Sequence, residues 1–194
     1  MKIGIFGGTF DPIHMGHLIV AETVRSDFQL DRILFIPASK PPHKPGRTFA
    51  SFTDRKSMIK QALKDNPFFQ LSDVEHRRSG VSYTIDTIRW FQKSKIWEKH
   101  IFFLLIGADS LLELSTWKDP DDIFKSVRVL VLRRPGSDIT KSEKRYLEKV
   151  TIVDVPHIDI SSTKIRNRIG RNQTVRYWVP EAVERYIHKK GLYR

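Results

Sequence analysis

Residues 7–17, GGTFDPIHMGH, place two glycines, an Asp-Pro pair and two histidines in one short stretch directly after an apolar run, KIGIF (2–6). Glycine lets a backbone approach a ligand closely, Asp-Pro turns the chain, and histidine serves acid–base, metal or phosphate chemistry. His14 and His17 are three positions apart where a helix is expected to start, so both rings can share one face near its positive terminus. Three chemistries fit the types and spacing. The histidines can be capping or core residues, ligands of a metal, or donors to a phosphate. A zinc site would want a third ligand and commonly i, i+4 spacing. Neither the P-loop pattern GxxxxGK[ST] nor GxGxxG is present, so the usual nucleotide fingerprints do not decide among them.

A second group with phosphate chemistry lies near the other end, in IDISSTKIRNRI (158–169). Ser161 and Ser162 are good N-cap residues. The helix they open would present free backbone amides, with Thr163 and Arg166, to an anion. An ordinary capped helix, basic on its wet face, explains the same residues.

The elements that must carry these groups alternate. KIGIF (2–6), RILFIP (32–37), FQLSDV (69–74), HIFFLLIG (100–107), VRVLVL (127–132) and VTIVDV (150–155) read as strands, several almost continuously apolar, as strands covered on both faces are. Helical periodicity runs over about 15–28, 53–64 and 84–93, and shorter helices fit 110–114, 142–148, 162–169 and 180–188, the last with a Val179, Val183, Ile187 stripe. That alternation predicts βαβ units: a doubly wound, mainly parallel α/β sheet with helices on both faces, as one domain over residues 1–194 with a helical C-terminal part from about 160. Ligands of such sheets sit at the carboxyl ends of strands, where the opening glycines lie. ASKPPHKPGRTFAS (38–51) is the longest expected loop.

Composition narrows the class. The chain has 194 residues, 40% of them hydrophobic and 29% charged, which suits one globular domain. Without cysteine there is no disulfide and no thiolate metal site. No run approaches the roughly 20 apolar residues of a membrane span, and the first residues lack the apolar core of a signal peptide, so the cytoplasm is the expected compartment. The net charge of +12 suits a nucleic-acid binder, a membrane-surface protein or an enzyme of phosphorylated substrates. Its basic residues are spread over HRR (76–78), LRRPG (132–136) and IRNRIGR (165–171), not gathered in a tail.

GGTFDPIHMGH resembles the HxGH signature of the nucleotidyltransferase superfamily, with His14 and His17 as its histidines, and ISSTKIR resembles the superfamily's ISSTxIR motif. PASKPPHK (37–44), SGVSYTIDT (79–87), GADSLLELSTW (107–117), RPG (134–136) and VPEAVERYIHKKGLY (179–193) are similar to segments of the bacterial nicotinate mononucleotide adenylyltransferases, so that the resemblance runs from end to end.

The resemblance implies a Rossmann-like fold and transfer of the adenylyl group of ATP to nicotinate mononucleotide, giving deamido-NAD and pyrophosphate. It implies that His17 meets the α-phosphate in the transition state, with His14 nearby and Ser162 and Arg166 on the β- and γ-phosphates. ATP would be held by Gly7, Gly8, Thr9, Phe10, Gly107, Asp109, Ile160, Ser161, Ser162, Thr163 and Arg166 besides the two histidines, with Asp109 at ribose hydroxyls. The mononucleotide would meet Lys44, Arg134, the Ser82–Tyr83–Thr84 segment at its carboxylate, largely through backbone amides, and Trp117 stacked on the pyridine ring. Mg²⁺ is expected to arrive with ATP, with no dedicated protein ligands. No nucleic acid or membrane partner is implied, and a homo-oligomer stays open. Nicotinamide mononucleotide or phosphopantetheine as acceptor, and a nucleic-acid-binding module, are the alternatives.

Overall fold

Six short runs rich in β-branched and aromatic residues form one parallel sheet in the computed structural model, which describes residues 1–40, 49–78, 80–95, 99–133 and 138–194. The strands are β1 (Lys2–Gly8), β2 (Arg32–Pro37), β3 (Phe69–Leu71), β4 (Ile101–Gly107), β5 (Arg128–Arg133) and β6 (Val150–Asp154), in the order β3-β2-β1-β4-β5-β6. This is the doubly wound order in which the winding reverses between β1 and β4.

The near-continuous apolar strands are explained by two covered faces. Phe103 and Leu105 of β4 join one core with Ile33, Phe35, Leu130, Leu132 and Val153; Phe102, Leu104 and Ile106 join the other with Ile3, Ile5, Leu34, Ile36, Val129 and Val131. Helices α1 (Met15–Asp27), α2 (Phe52–Ala62), α8 (Ser162–Gly170) and α9 (Glu181–Lys190) cover the first face. On the second lie α3 (Val74–Arg77), α4 (Thr84–Lys93), α5 (Ala108–Leu112), the 3-10 turn Leu114–Thr116, α6 (Pro120–Ser126) and α7 (Lys144–Leu147). The Val179, Val183, Ile187 stripe is at most 2% exposed. Each of these side chains contributes about 1.5–3 kcal/mol by burial, and α9 ends on Gly191 in the left-handed region at φ 62°.

Several elements differ from the sequence reading. FQLSDV pairs with β2 only to Leu71, because Asp73 bonds Lys56 and Arg77, both at 2.6 Å, and the chain turns there into α3. The helix expected at 110–114 begins at Ala108, straight from the end of β4, and is followed by the 3-10 turn; that expected at 142–148 covers Lys144–Leu147. The sequence reading had no helix at α6; Pro120 stands at its first position, where a fixed φ and a missing N–H are no cost. Among the described residues no helix is long and apolar enough to cross a membrane.

Candidate active site

The reversal of winding splits the sheet at its carboxyl edge. β1 pairs with β4 only as far as Phe6 opposite Leu105, then continues with β2 through Gly8 opposite Pro37, while β4 continues with β5 through Gly107 opposite Leu132. A cleft of about 290 Å³ opens there, lined among others by Gly7, Gly8, Thr9, Gly107, Ser82, Tyr83, Thr84 and Trp117. A Cβ on Gly8 would stand 3.0 Å from the ring of Phe10, so glycine gives that ring room to fold back under the strand end. Phe10 itself is 2% exposed, packed on Phe6 and Phe35, with its ring 5.0 Å from that of His17; its side chain is a wall behind the histidine, and only its main chain is available to a nucleotide.

His14 is the N-cap of α1 and is buried, and His17 stands one turn on, half-buried. Their rings stack with centroids 3.6 Å apart, 24° from parallel. The His14 backbone N–H donates to Nδ1 of His17 at 3.2 Å, so the proton of the neutral His17 ring sits on Nε2, which is thereby a donor. Gly16 makes room for this: a Cβ there would meet His14 Nδ1 at 3.1 Å and Cε1 at 3.2 Å. Among the described residues, no group of three or more His, Asp or Glu is placed to hold a metal ion.

The ISSTKIR segment docks onto the same turn. Ser161 caps α8, accepting the Lys164 N–H at 3.2 Å; Ser162 Oγ donates to the Pro12 carbonyl at 2.9 Å. Arg166 donates to the Asp11 carbonyl at 2.7 Å and to Thr163 Oγ1 at 3.1 Å, and its guanidinium lies 4.3 Å over the Phe49 ring. Ile160 is half-buried against the core. Ser162 and Arg166 therefore tie the N-terminal turn of α8 to the residues just before His14.

Beneath this junction lies a network that sequence reasoning missed. The buried Asp11 carboxylate accepts the N–H groups of Phe49 (2.7 Å) and Ala50 (3.2 Å) and the hydroxyl of Tyr193 (2.7 Å). Burial and the bond to Asp11 push the Tyr193 hydroxyl far above the usual range, so it remains a donor. Arg55, 1% exposed, donates to the Thr9 carbonyl at 2.7 Å, and burial draws its guanidinium below its usual range despite the nearby Asp11 charge. One signal for Arg55 was present: it falls on the apolar face of α2 with Met58 and Ile59.

Across the cleft, Tyr83 is the N-cap of α4 and Thr84 opens it, so helix amides without intrahelical partners face the cleft. Ser82 is committed to the protein. Its Oγ accepts from the N–H groups of Ser39 (3.0 Å) and Lys40 (3.1 Å), and its own N–H donates to the Lys40 carbonyl at 3.0 Å; the Tyr83 N–H donates to Val81. Trp117 follows the 3-10 turn, half-buried on the second core. Lys118, beside it, bonds Asp86 at 3.0 Å and stands 5.0 Å over the Tyr83 ring. Glu75 and Thr87 also line the cleft, and neither was singled out from the sequence.

Asp109 sits exposed in the first turn of α5, next to Gly107 at the cleft edge. Lys44 and Arg134 lie outside the described residues. Two groups thus share the 7–17 segment: one around the cleft, the other around the Asp11-Pro12 turn.

Comparison with known proteins gives a consistent picture. Residues 5–168 match the model of the cytidylyltransferase-like family. A protein of Desulfitobacterium hafniense named "Probable nicotinate-nucleotide adenylyltransferase" is 40% identical over 200 residues, covering 100% of this chain and 96% of its own. Proteins of the same name from Thermoanaerobacter sp. and Exiguobacterium sibiricum are each 43% identical, covering 100% of this chain and 95% and 99% of theirs. The fold is that of the Plasmodium falciparum nicotinic acid mononucleotide adenylyltransferase complexed with NaAD, at TM-score 0.81 and 18% identity over 99% of this chain and 97% of that one. The same enzyme complexed with APC gives 0.78 at 17%, over 99% and 96%.

Proposed function

Because the chain belongs to the cytidylyltransferase-like family and, within it, to the nicotinate-nucleotide adenylyltransferases, we propose that the cleft and the turn beside it carry out that family's reaction with the residues described above. The protein transfers the adenylyl group of ATP to nicotinate mononucleotide, forming nicotinate adenine dinucleotide and pyrophosphate, a step of NAD biosynthesis. The observation that carries the assignment of the site is the parting of β1 from β4 beyond Phe6 and Leu105. Gly7, Gly8 and Thr9, which lead into the HxGH turn, line one side of the cleft and the Ser82–Thr84 turn with Trp117 the other, which supports reading the two as walls of one site.

A phosphate oxygen of the mononucleotide attacks the α-phosphorus of ATP in line. The bond from that phosphorus to the oxygen bridging to the β-phosphorus breaks, and pyrophosphate leaves. No protein nucleophile is needed, so catalysis consists of positioning and of neutralising charge. His17 donates from Nε2 to the α-phosphate as charge builds there, its direction set by the His14 N–H. His14 lies against it. The N-terminal turn of α8, with Thr163 and Arg166, receives the β- and γ-phosphates, and Lys44 joins them from the mononucleotide side. Mg²⁺ comes as part of the ATP substrate, keeping waters of its own.

Gly7, Gly8 and Thr9 let the nucleotide lie close to the strand end, Asp109 takes ribose hydroxyls, and Trp117 stacks on the pyridine ring. The Ser82–Thr84 turn with Arg134 receives the carboxylate. With the Ser82 and Tyr83 amides bonded within the protein, the Thr84 amide and the helix terminus carry most of that contact. The described elements all pack on one sheet, which supports a single nucleotidyltransferase domain with a helical C-terminal part. Its substrates are small molecules of the cytoplasm.

The test is incubation with MgATP and, separately, nicotinate mononucleotide, nicotinamide mononucleotide and phosphopantetheine, with pyrophosphate release measured. Fast release with the nicotinate form is expected; equal or faster release with another acceptor would reassign the substrate.

A further inference from the structure

Glu75 is 9% exposed, lines the cleft beside Ser82–Thr84, and takes no part in the transfer derived above. Its Oε1 accepts from Thr87 Oγ1 at 2.9 Å. Arg78 reaches that same Thr87 hydroxyl and the Tyr83 carbonyl, each at 3.4 Å. Glu75 Oε2 is buried without a hydrogen-bond partner among the described residues, and the Ser82 hydroxyl and the Ser39 N–H are among the groups that favour the charged carboxylate. That Ser82 hydroxyl is the one on which the Ser39 and Lys40 N–H groups converge. The carboxyl group therefore stands where the exit of β2 meets the first turn of α4.

Holding it there is costly. Burial pushes the carboxyl above the usual carboxylate range, against the opposing pull of Ser82, Thr87 and Arg78. A neutral side chain of similar volume would fill the space without that penalty. A position that gives up stability in this way is characteristic of a site shaped by function.

We propose that Glu75 is a positioning residue for the acceptor substrate: it joins the Ser39–Lys40 strand exit to the Ser82–Thr84 turn and thereby fixes the geometry that receives the pyridine carboxylate. This rests on the reading of the cleft as a nicotinate mononucleotide site. Glu75 lines the cleft with the Ser82–Thr84 turn, the side assigned to the acceptor, so its effect belongs to the acceptor and not to ATP.

The experiment compares wild type, Glu75→Gln and Thr87→Val in pyrophosphate release, with nicotinate and nicotinamide mononucleotides varied at saturating MgATP and then with ATP varied, alongside thermal melts. Wild type must prefer the nicotinate form; failure at that point overturns the reading of the cleft before any variant is considered. For Glu75→Gln the KM for nicotinate mononucleotide should rise about tenfold with the KM for ATP within about twofold, the signature of a displaced turn that weakens binding of one substrate only. The ratio of kcat/KM between the nicotinate and nicotinamide forms should fall about fivefold, with a melting temperature no lower than wild type. Thr87→Val, which removes the hydroxyl that Glu75 holds and keeps the charge, should move the same quantities in the same direction by about threefold. Equal rises in both KM values, an unchanged acceptor ratio, or a fall in melting temperature that accounts for the lost activity would each show a residue that only supports the fold.

Discussion

The backbone N–H of His14 donates to Nδ1 of His17 at 3.2 Å while the two rings stack at 3.6 Å, so one histidine sets the tautomer and direction of the other. If His17 is the donor at the α-phosphate, His17→Ala removes it, together with the acceptor of the His14 N–H. The expected result is a fall in kcat of about 10²–10³, the usual loss of one transition-state donor. Steady-state pyrophosphate release checks it, and a wild-type kcat would remove His17 from the reaction.

Gly16 is the position on which that arrangement depends. A methyl group there would stand 3.1 Å from His14 Nδ1, so in Gly16→Ala the His14 ring must shift by a few tenths of an ångström and carry the stacked His17 ring with it. We expect kcat to fall about tenfold, since small displacements of a positioned group cost rate steeply. Helix α1 should still form, alanine being the better helix former. Far-ultraviolet circular dichroism and kcat measured on the same sample separate the two effects; unchanged kcat would mean that the ring pair tolerates the shift.

The bond from Tyr193 to Asp11 joins residues 182 positions apart and closes the C-terminal turn onto the opening segment. Tyr193→Phe keeps the ring and removes the donor, leaving the buried carboxylate with the Phe49 and Ala50 amides alone. Loss of a buried hydrogen bond to a charged group should lower stability by about 1–3 kcal/mol. Urea unfolding monitored by tryptophan fluorescence measures it, and an unchanged midpoint would show that solvent or another group replaces the hydroxyl.

Such pairs mark the limit of what the sequence makes legible. The alternation of apolar runs and amphipathic stretches is local, and it located the six strands and most of the helices; where it failed, at Val74 and Pro120, a tertiary ion pair or a helix-start proline decided instead. The two motif segments were legible because type and spacing are themselves sequence properties. Their docking was not, since the Ser162 bond to Pro12 and the Arg166 bond to Asp11 span 150 and 155 positions. Glu75 was invisible for the same reason: in HRR and its flanks it reads as one more charged surface residue, and only its burial against Thr87 sets it apart.

Trp117 poses the opposite problem, a residue with both a core contact and a cleft face. Its indole is half-buried on the second core and borders the cleft between Glu113 and Lys118. If it stacks on the pyridine ring, Trp117→Ala should raise the KM for nicotinate mononucleotide about tenfold, the worth of one stacked ring, while the KM for ATP stays near wild type. Trp117→Phe retains a flat apolar face and should recover most of that loss. Titration of each variant with each substrate by calorimetry tests the split directly. Parallel losses for ATP and for the mononucleotide, unrelieved by phenylalanine, would place the indole in the packing of the 3-10 turn and not in the binding of the acceptor.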